Sequence, residues 1–154
     1  MLYCFFVASV GNLLKTLSRI PRRSTATKTG TARKVIVCRT NDEVNADLAR
    51  SWCDDHGMDF QPADQRDELF PAEACALAID LNHLAWGPSE RAQFVERLND
   101  VVPPYPVAVA SYDLDHAAQG ALAARGFFMV RRIEREVFDK LAQAVGSEDS
   151  EFAA

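Results

Sequence analysis

Short apolar runs alternate with segments of helical periodicity from residue 34 onward, and this alternation limits the fold more than any other feature of the sequence. The runs VIV, ALAI and VAVA contain no polar residue, which is typical of strands that are buried on both faces of a sheet. Strands that are separated by a helical segment pair in parallel through right-handed crossovers. The sequence therefore predicts an α/β fold, with a five-stranded parallel sheet in a doubly wound three-layer sandwich.

The strands are predicted over residues 34–39, 58–63, 75–80, 105–111 and 127–132. Pro62 weakens the second of them, because proline cannot donate to a strand ladder. A Thr40-x-x-Glu43 capping box predicts the start of the first helix, and Gly57 predicts its end. A weakly patterned helix is expected over residues 65–74. The residues expected on the buried helix faces are Val44, Leu48, Trp52, Phe94, Val95, Leu98, Val101, Ala118, Ala121, Leu122, Ile133, Val137, Leu141 and Ala144.

The charge is unevenly distributed along the chain. Residues 1–34 contain seven Lys or Arg and no acid, whereas the remaining residues contain all 22 acids and ten bases. An acidic body argues against nucleic acid as a partner, which requires a basic face. The apolar run at residues 1–14 is too short for an integral membrane segment.

These shifts in composition predict three segments. Residues 1–33 are expected to be a basic leader that is disordered or processed, or the result of a misassigned start. Residues 34–145 form the α/β domain, and residues 146–154 are expected to be a disordered tail. Four cysteines without a C-x-x-C pair favour a reducing cytoplasm and no metal site, while a basic leader leaves organellar targeting as an alternative.

The carboxyl ends of the predicted strands carry the candidate site, because ligands of open α/β sheets bind at that edge. The third strand ends at Asp80, the fourth at Ser111 and the fifth at Arg131 and Arg132. A carboxylate accepts a phosphoryl group, a hydroxyl hydrogen-bonds to it and a cation pairs with it.

In this order and spacing, the segments LAIDLN, PVAVASY and ALAARGFFMVRR resemble the receiver domain of bacterial response regulators. The resemblance implies a flavodoxin-like sheet with strand order 2-1-3-4-5. It also implies that Asp80 corresponds to the phospho-acceptor, Ser111 to the residue that senses the phosphoryl group, and Arg132 or Arg131 to the essential lysine.

The chain departs from the family at one pair of positions, and this departure distinguishes a pseudo-receiver from a phosphorylatable receiver. Receivers end their first strand with two acidic residues that hold Mg²⁺, and this chain has Cys38 and Arg39 there. A hard cation needs oxygen ligands, so we expect a pseudo-receiver without a cofactor, in which Arg39 could pair with Asp80. Mg²⁺ is expected only if Asp80 is phosphorylated after all. Asp80 could also be purely structural, paired with an arginine or capping the following loop.

Three apolar residues are candidates for a partner surface. Trp86 follows Asp80 in the loop above the predicted crevice, and Phe128 and Met129 lie on the fifth strand, where the family's partners usually bind. Core packing is the alternative for each of them. His83 is expected to be a solvated loop residue, although its position also allows it to approach Asp80.

These features predict a stand-alone receiver-like signalling module that binds another signalling protein, such as a kinase, an output protein or a regulator. No catalytic residue is predicted, and the chain is not expected to be an enzyme. The first alternative is a phosphorylatable single-domain response regulator with Asp80 as acceptor. The second is a small flavodoxin-like ligand-binding protein or enzyme that uses the same crevice.

Overall fold

Strands and helices alternate throughout the part of the chain that the computed structural model describes, which is residues 33–63 and 68–151, with side chains as far as Ser147. The strands are β1 (Val35–Arg39), β2 (Asp59–Pro62), β3 (Ala74–Asp80), β4 (Val107–Ala110) and β5 (Phe128–Val130). The helices are α1 (Glu43–His56), α2 (Pro88–Asn99), α3 (His116–Ala124) and α4 (Arg135–Glu151). A 3₁₀ turn, Leu81–His83, follows β3 directly.

All four strand pairings are parallel, and the strand order is β2-β1-β3-β4-β5. The predicted fold class and strand order are therefore confirmed. Because β1 and β3 are neighbours and β1 carries β2 on its other side, the loops after β1 and β3 meet at the carboxyl edge of the sheet.

Two hydrophobic cores lie on the two faces of this sheet. Helices α1 and α4 cover one face, where Trp52 and Phe138 are buried against alanines of β3 and β4. Helices α2 and α3 cover the other face, where Phe94 and Leu122 pack on larger strand residues such as Leu77. Side chains alternate between the two faces along each strand, so the sequence ALAID and the sequence VAVA place small residues on one face and branched ones on the other.

Helix α1 starts two residues later than the capping box predicts. Asp42 is its N-cap and accepts a hydrogen bond from the backbone N–H of Val44. The Thr40 hydroxyl donates to Asp80 instead. The buried face of α1 is formed by Ala49, Trp52 and Cys53, and Val44 is exposed. Gly57 ends the helix as predicted, with φ of 66° in the left-handed region that favours glycine.

No helix forms over residues 68–73, so the predicted helix at 65–74 is wrong there, and residues 64–67 lie outside the described residues. Pro71 disfavours a helix in this short stretch. Phe70 packs against Tyr105 and Phe127 instead, and the Tyr105 hydroxyl donates to the Pro71 carbonyl at 3.0 Å. Between β2 and β3, the sheet therefore has an irregular connection along residues 68–73.

Helices α2 and α3 agree with their predicted starts, whereas α4 begins at Arg135, after Ile133, which is buried but precedes the helix. Pro88 begins α2, whose buried residues are Phe94, Val95 and Leu98, and Asp115 is the N-cap of α3. Ala121 is exposed, contrary to the prediction, because the short α3 buries only Leu122.

The described structure differs from the predicted segments at the C-terminal end of the domain. The backbone of α4 continues to Glu151, where a tail was predicted from residue 146, and residues 152–154 lie outside the described residues. The predicted leader also lies outside them, apart from Arg33, which pairs with Asp59. Among the described residues, no helix is long and apolar enough to cross a membrane.

Candidate functional site

The Asp80 carboxylate is fully buried at the carboxyl end of β3, and its side chain is only 1% exposed. Its Oδ2 atom accepts hydrogen bonds from Thr40 Oγ1 at 3.0 Å and from Asn45 Nδ2 at 2.8 Å, and it lies 2.8 Å from Nδ1 of His83. Its Oδ1 atom accepts from the backbone N–H of Asn82 at 3.2 Å. With His83 donating from Nδ1, four donors converge on the Asp80 carboxylate. This arrangement is suited to the ionised form of the carboxylate.

Thr40 is the residue of the β1 end that reaches Asp80, although its sequence context predicts only a helix cap. The Thr40 hydroxyl donates to Asp80 and accepts from the backbone N–H of Asp42, so it joins β1, α1 and β3. This contact also explains why Thr40 does not cap α1. The family resemblance matches Cys38 and Arg39 to the acidic pair, whereas the structure places the hydroxyl of the next residue beside Asp80.

Arg39 does not pair with Asp80, because the two residues point to opposite faces of the sheet. Asp80 follows the alternation of Ala76 and Ala78 toward α1 and α4, whereas Arg39 follows Val37 toward α2. The Arg39 guanidinium lies 5.4 Å from the centre of the Phe94 ring, and its Nη2 atom donates to the Glu68 carbonyl at 2.5 Å. Burial lowers the pKa of Arg39, and the nearby Tyr105 and Glu68 partly oppose this shift.

Cys38 lies on the same face as Asp80 and is also buried. Burial raises the pKa of its thiol to about 12, and the negative charge of Asp80 and Cys53 adds to the shift. Burial therefore disfavours the reactive thiolate form of Cys38.

His83 belongs to the Asp80 cluster, so its predicted role as a solvated loop residue is wrong. Its side chain is 45% exposed, its Nδ1 contacts Asp80, and its Nε2 lies 4.0 Å from Oδ2 of Asp42. The backbone carbonyl of His83 also accepts from the N–H of Asn41. The imidazole therefore links the loop after β3 to the start of α1.

Asn82 connects the loops that follow three strands, and it too was missed. Its Nδ2 atom donates to the Arg131 carbonyl at 3.0 Å, and its Oδ1 atom accepts from the backbone N–H of Tyr112 at 2.8 Å. No local sequence signal indicates these contacts, because they join loops that are 30 and 49 residues apart in the chain. The amide fixes the carboxyl edge of β3, β4 and β5 as one unit.

Ser111 has its hydroxyl turned into its own loop. The Ser111 side chain is buried, and its Oγ atom accepts from the backbone N–H groups of Asp113 at 3.2 Å and Leu114 at 3.3 Å. These bonds are those of a turn-forming serine. Its proposed role as a phosphoryl sensor stays a prediction.

Arg131 and Arg132 are both exposed at the end of β5. The Arg132 guanidinium forms an ion pair with Glu134, which raises the pKa of Arg132. Together with Tyr112 and Lys140, the two arginines line a cleft of about 460 Å³ between the end of β5 and α4. The described contacts bring neither guanidinium to Asp80, so their role as the family's cation also stays a prediction.

The three partner-surface candidates occupy different environments. Trp86 is half-buried, with its ring 4.8 Å from the ring of Phe94 in an edge-to-face contact, and Met129 packs against the same core. Phe128 is 42% exposed on the edge strand β5. Only Phe128 of these three combines a large apolar side chain with high exposure.

The donor set around Asp80 does not fit Mg²⁺. A hard divalent cation needs several oxygen ligands, and here an amide nitrogen, an imidazole nitrogen and two further donors already occupy the carboxylate. The carboxylate of Asp42, which lies on the other side of the His83 ring, uses Oδ1 to cap α1. Within residues 33–63 and 68–151, no group of three or more His, Cys, Asp or Glu side chains is placed to hold a metal ion.

Comparison with solved structures identifies the fold. A response regulator receiver protein from Pseudomonas putida matches 77% of this chain and 99% of its own, with a TM-score of 0.52 and 16% identity. A receiver domain protein (CheY-like) from Methanospirillum hungatei JF-1 matches 78% and 99%, with a TM-score of 0.57 and 12% identity. The signal receiver domain of a Luxo repressor protein from Vibrio parahaemolyticus matches 77% and 95%, with a TM-score of 0.57 and 13% identity.

The chain has the receiver fold. At these identities the likeness is one of fold, and the sequence matches no protein-family model and no curated protein. Within the receiver fold, Asp80 stands at the end of β3, where the sequence resemblance places the phospho-acceptor. Four hydrogen-bond donors surround its carboxylate, which is buried from solvent.

Proposed function

We propose that this chain is a receiver-like signalling module that acts by binding another protein, with Asp80 serving as a structural carboxylate. The observation that supports the proposal most strongly is the hydrogen bonding of Asp80, whose two oxygens accept four bonds in a site without solvent exposure. Phosphorylation would have to displace these donors and supply a cation that the donor set does not favour.

The binding role depends on Phe128. Large apolar side chains are exposed at few places among the described residues, and Phe128 lies on β5, the edge of the sheet. An exposed aromatic side chain on an edge strand is suited to anchor a partner protein. The resemblance to receivers, whose partners usually bind around the fifth strand, supports the same surface.

The test compares partner capture by the full chain and three variants, quantified by mass spectrometry after cross-linking. We expect Phe128→Ala to lose partners that the unaltered chain captures. We expect Asp80→Asn, used at a temperature where circular dichroism shows it folded, to retain them. Val102→Ala removes another exposed apolar side chain and is the matched control. Retention by Phe128→Ala would contradict the surface, and loss by Asp80→Asn alone would contradict the structural role of Asp80.

A phosphorylatable response regulator remains the second candidate, because Asp80 lies at the carboxyl end of β3 and its Oδ1 has a single donor. This function requires His83, Thr40 and Asn45 to release Oδ2 when a cation binds. It predicts that partner capture depends on a phosphoryl donor and is abolished in Asp80→Asn.

A further inference from the structure

The His83 ring lies between two carboxylates, and only one of them is close enough to form a hydrogen bond with it. Nδ1 is 2.8 Å from Oδ2 of Asp80, whereas Nε2 is 4.0 Å from Oδ2 of Asp42. Among the described residues, neither carboxylate forms an ion pair with a lysine or an arginine. The Nε2 side of the ring therefore faces a negative charge that no basic side chain of these residues neutralises.

The contact with Asp80 determines which nitrogen of His83 is available to a ligand. The Asp80 carboxylate accepts hydrogen bonds from three other donors, so Nδ1 is the nitrogen that carries the proton and completes this set. An imidazole that is protonated on Nδ1 alone has a lone pair on Nε2. That lone pair and Oδ2 of Asp42 are both acceptors, and a cation between them satisfies both.

Asp42 is held in place by the start of α1. Its Oδ1 atom accepts from the backbone N–H of Val44 at 3.0 Å, as the N-cap of the helix, which leaves Oδ2 toward His83. The side chains of Asp42 and His83 are 30% and 45% exposed. Because Nδ1 lies against the buried Asp80, the exposed part of the ring is the side that carries Nε2. An ion in solution can therefore reach the pair.

The separation of the two atoms fits a single metal ion. Zinc binds histidine nitrogen and carboxylate oxygen at about 2.0–2.2 Å, so one ion can join atoms that are up to about 4.2 Å apart. The observed distance of 4.0 Å is within this limit, and a small rotation of either exposed side chain reduces it toward tetrahedral geometry. A nitrogen and an oxygen ligand suit Zn²⁺, Cu²⁺ or Ni²⁺, whereas Mg²⁺ prefers oxygen ligands alone.

The hydrogen bond to Asp80 is a further feature of metal-binding histidines. In proteins, a histidine that ligates a metal usually donates its other N–H to a carboxylate or a carbonyl, which fixes the ring and raises the basicity of the ligating nitrogen. Asp80 stands in this position relative to His83, and it is itself fixed by Thr40 and Asn45. The ring is therefore oriented before an ion binds.

We propose that Nε2 of His83 and Oδ2 of Asp42 bind Zn²⁺ or a similar divalent transition-metal ion, with Asp80 as the positioning residue for the imidazole. Within the described residues, no third His, Cys, Asp or Glu side chain joins the pair. The other coordination positions are open to water or to a group from another molecule. The site does not depend on the proposed partner surface at Phe128, and it does not use Asp80 as a ligand.

The test is a titration of the full chain with ZnCl₂ at mildly alkaline pH, followed by NMR of the histidine ring nitrogens and by calorimetry. Before Zn²⁺ is added, His83 should be the tautomer with its proton on Nδ1. We expect Zn²⁺ to shift the Nε2 signal of His83 and MgCl₂ to leave it unchanged. No shift with excess ZnCl₂ would overturn the proposal. A ring that keeps protons on both nitrogens in the presence of Zn²⁺ would also overturn it, because a proton would then join the two atoms.

Three variants locate the ion. Asp42→Asn keeps the helix cap but removes the carboxylate, and it should weaken Zn²⁺ binding at least tenfold. His83→Gln should abolish binding at this site, while His116→Gln removes an exposed histidine elsewhere and should leave the affinity unchanged. Unchanged affinity in both Asp42→Asn and His83→Gln would show that Zn²⁺ binds at another place and would overturn the assignment.

The positioning role of Asp80 has its own readout. Asp80→Asn, used at a temperature where circular dichroism shows it folded, should weaken Zn²⁺ binding by about tenfold to a hundredfold. It should also reduce the preference of the His83 proton for Nδ1, which NMR of the ring nitrogens measures. An unchanged tautomer and an unchanged affinity in Asp80→Asn would contradict this role.

Discussion

The Nδ1 atom of His83 lies 2.8 Å from Oδ2 of Asp80, and this contact joins a half-exposed imidazole to a fully buried carboxylate. Thr40 and Asn45 donate to the same oxygen from β1 and α1. A solvent molecule or phosphoryl donor reaches Asp80 only if part of this cluster moves. The cluster is therefore expected to contribute to stability, and its members can be tested one at a time.

Asp80→Asn is expected to lower the free energy of unfolding by about 3 kcal/mol, because an amide places its own donor among groups that already donate. Urea denaturation followed by circular dichroism measures the change. Asp115→Asn is the matched control, since asparagine caps a helix about as well as aspartate, and should shift stability by less than about 0.5 kcal/mol. Equal stability of the two variants would contradict the structural role of Asp80.

Thr40→Val removes one hydroxyl that both donates to Asp80 and accepts from the Asp42 backbone. Valine has nearly the same shape, so the expected loss of about 1–2 kcal/mol reflects these two hydrogen bonds. Thr40→Ser keeps the hydroxyl and should lose much less. The comparison is decided by thermal or urea unfolding, and a larger loss in the serine variant would show that the Thr40 methyl group, and not its hydroxyl, matters.

Stability is expected to fall at alkaline pH, partly through Cys38. Burial raises the thiol pKa from 9.0 to about 12, so the folded protein keeps a proton that the unfolded chain releases. The contribution is complete below about pH 9 and decreases by about 1.4 kcal/mol per pH unit as the pH rises toward 12. Cys38→Ala should reduce the slope of unfolding free energy against pH in this range. Cys75→Ala, at a half-buried thiol, is the control, and equal slopes would contradict the assignment.

Trp86→Ala and Phe128→Ala are expected to separate packing from binding. Trp86 packs edge-to-face on Phe94, so its truncation should lower the free energy of unfolding by about 2 kcal/mol. Phe128 is 42% exposed and should lose less than about 1 kcal/mol. Unfolding curves of both variants provide the measurement, and the opposite order would show that Phe128 is the packing residue.

The sequence was sufficient to predict the architecture, since continuous apolar strands alternate with amphipathic helices. It also identified the three polar residues that are buried among those the structure describes, Arg39, Asp80 and Ser111, because each stands at or just after a strand end. Their partners were harder to predict. A shift of one residue at the end of a strand moves a side chain to the other face of the sheet, and this shift separates Thr40 from Arg39.

The irregular connection before β3 was also not predicted from the sequence. A helix over residues 65–74 is predicted only from a weak helical pattern. Pro71 and the packing of Phe70 on Tyr105 favour irregular structure over residues 68–73. The role of His83 depended on the 3₁₀ turn that follows β3, which brings a residue three positions after Asp80 back to it. Sequence periodicity does not show such a turn.

The most direct measurement is the intact mass of the full chain after incubation with Mg²⁺ and acetyl phosphate, with Asp80→Asn as the control. We predict that neither protein gains a phosphoryl group and that amide NMR signals around Asp80 and Ser111 do not move. A phosphoryl adduct on the unaltered chain that is absent from Asp80→Asn would contradict the account, because it would show that Asp80 can leave its donors and accept the group.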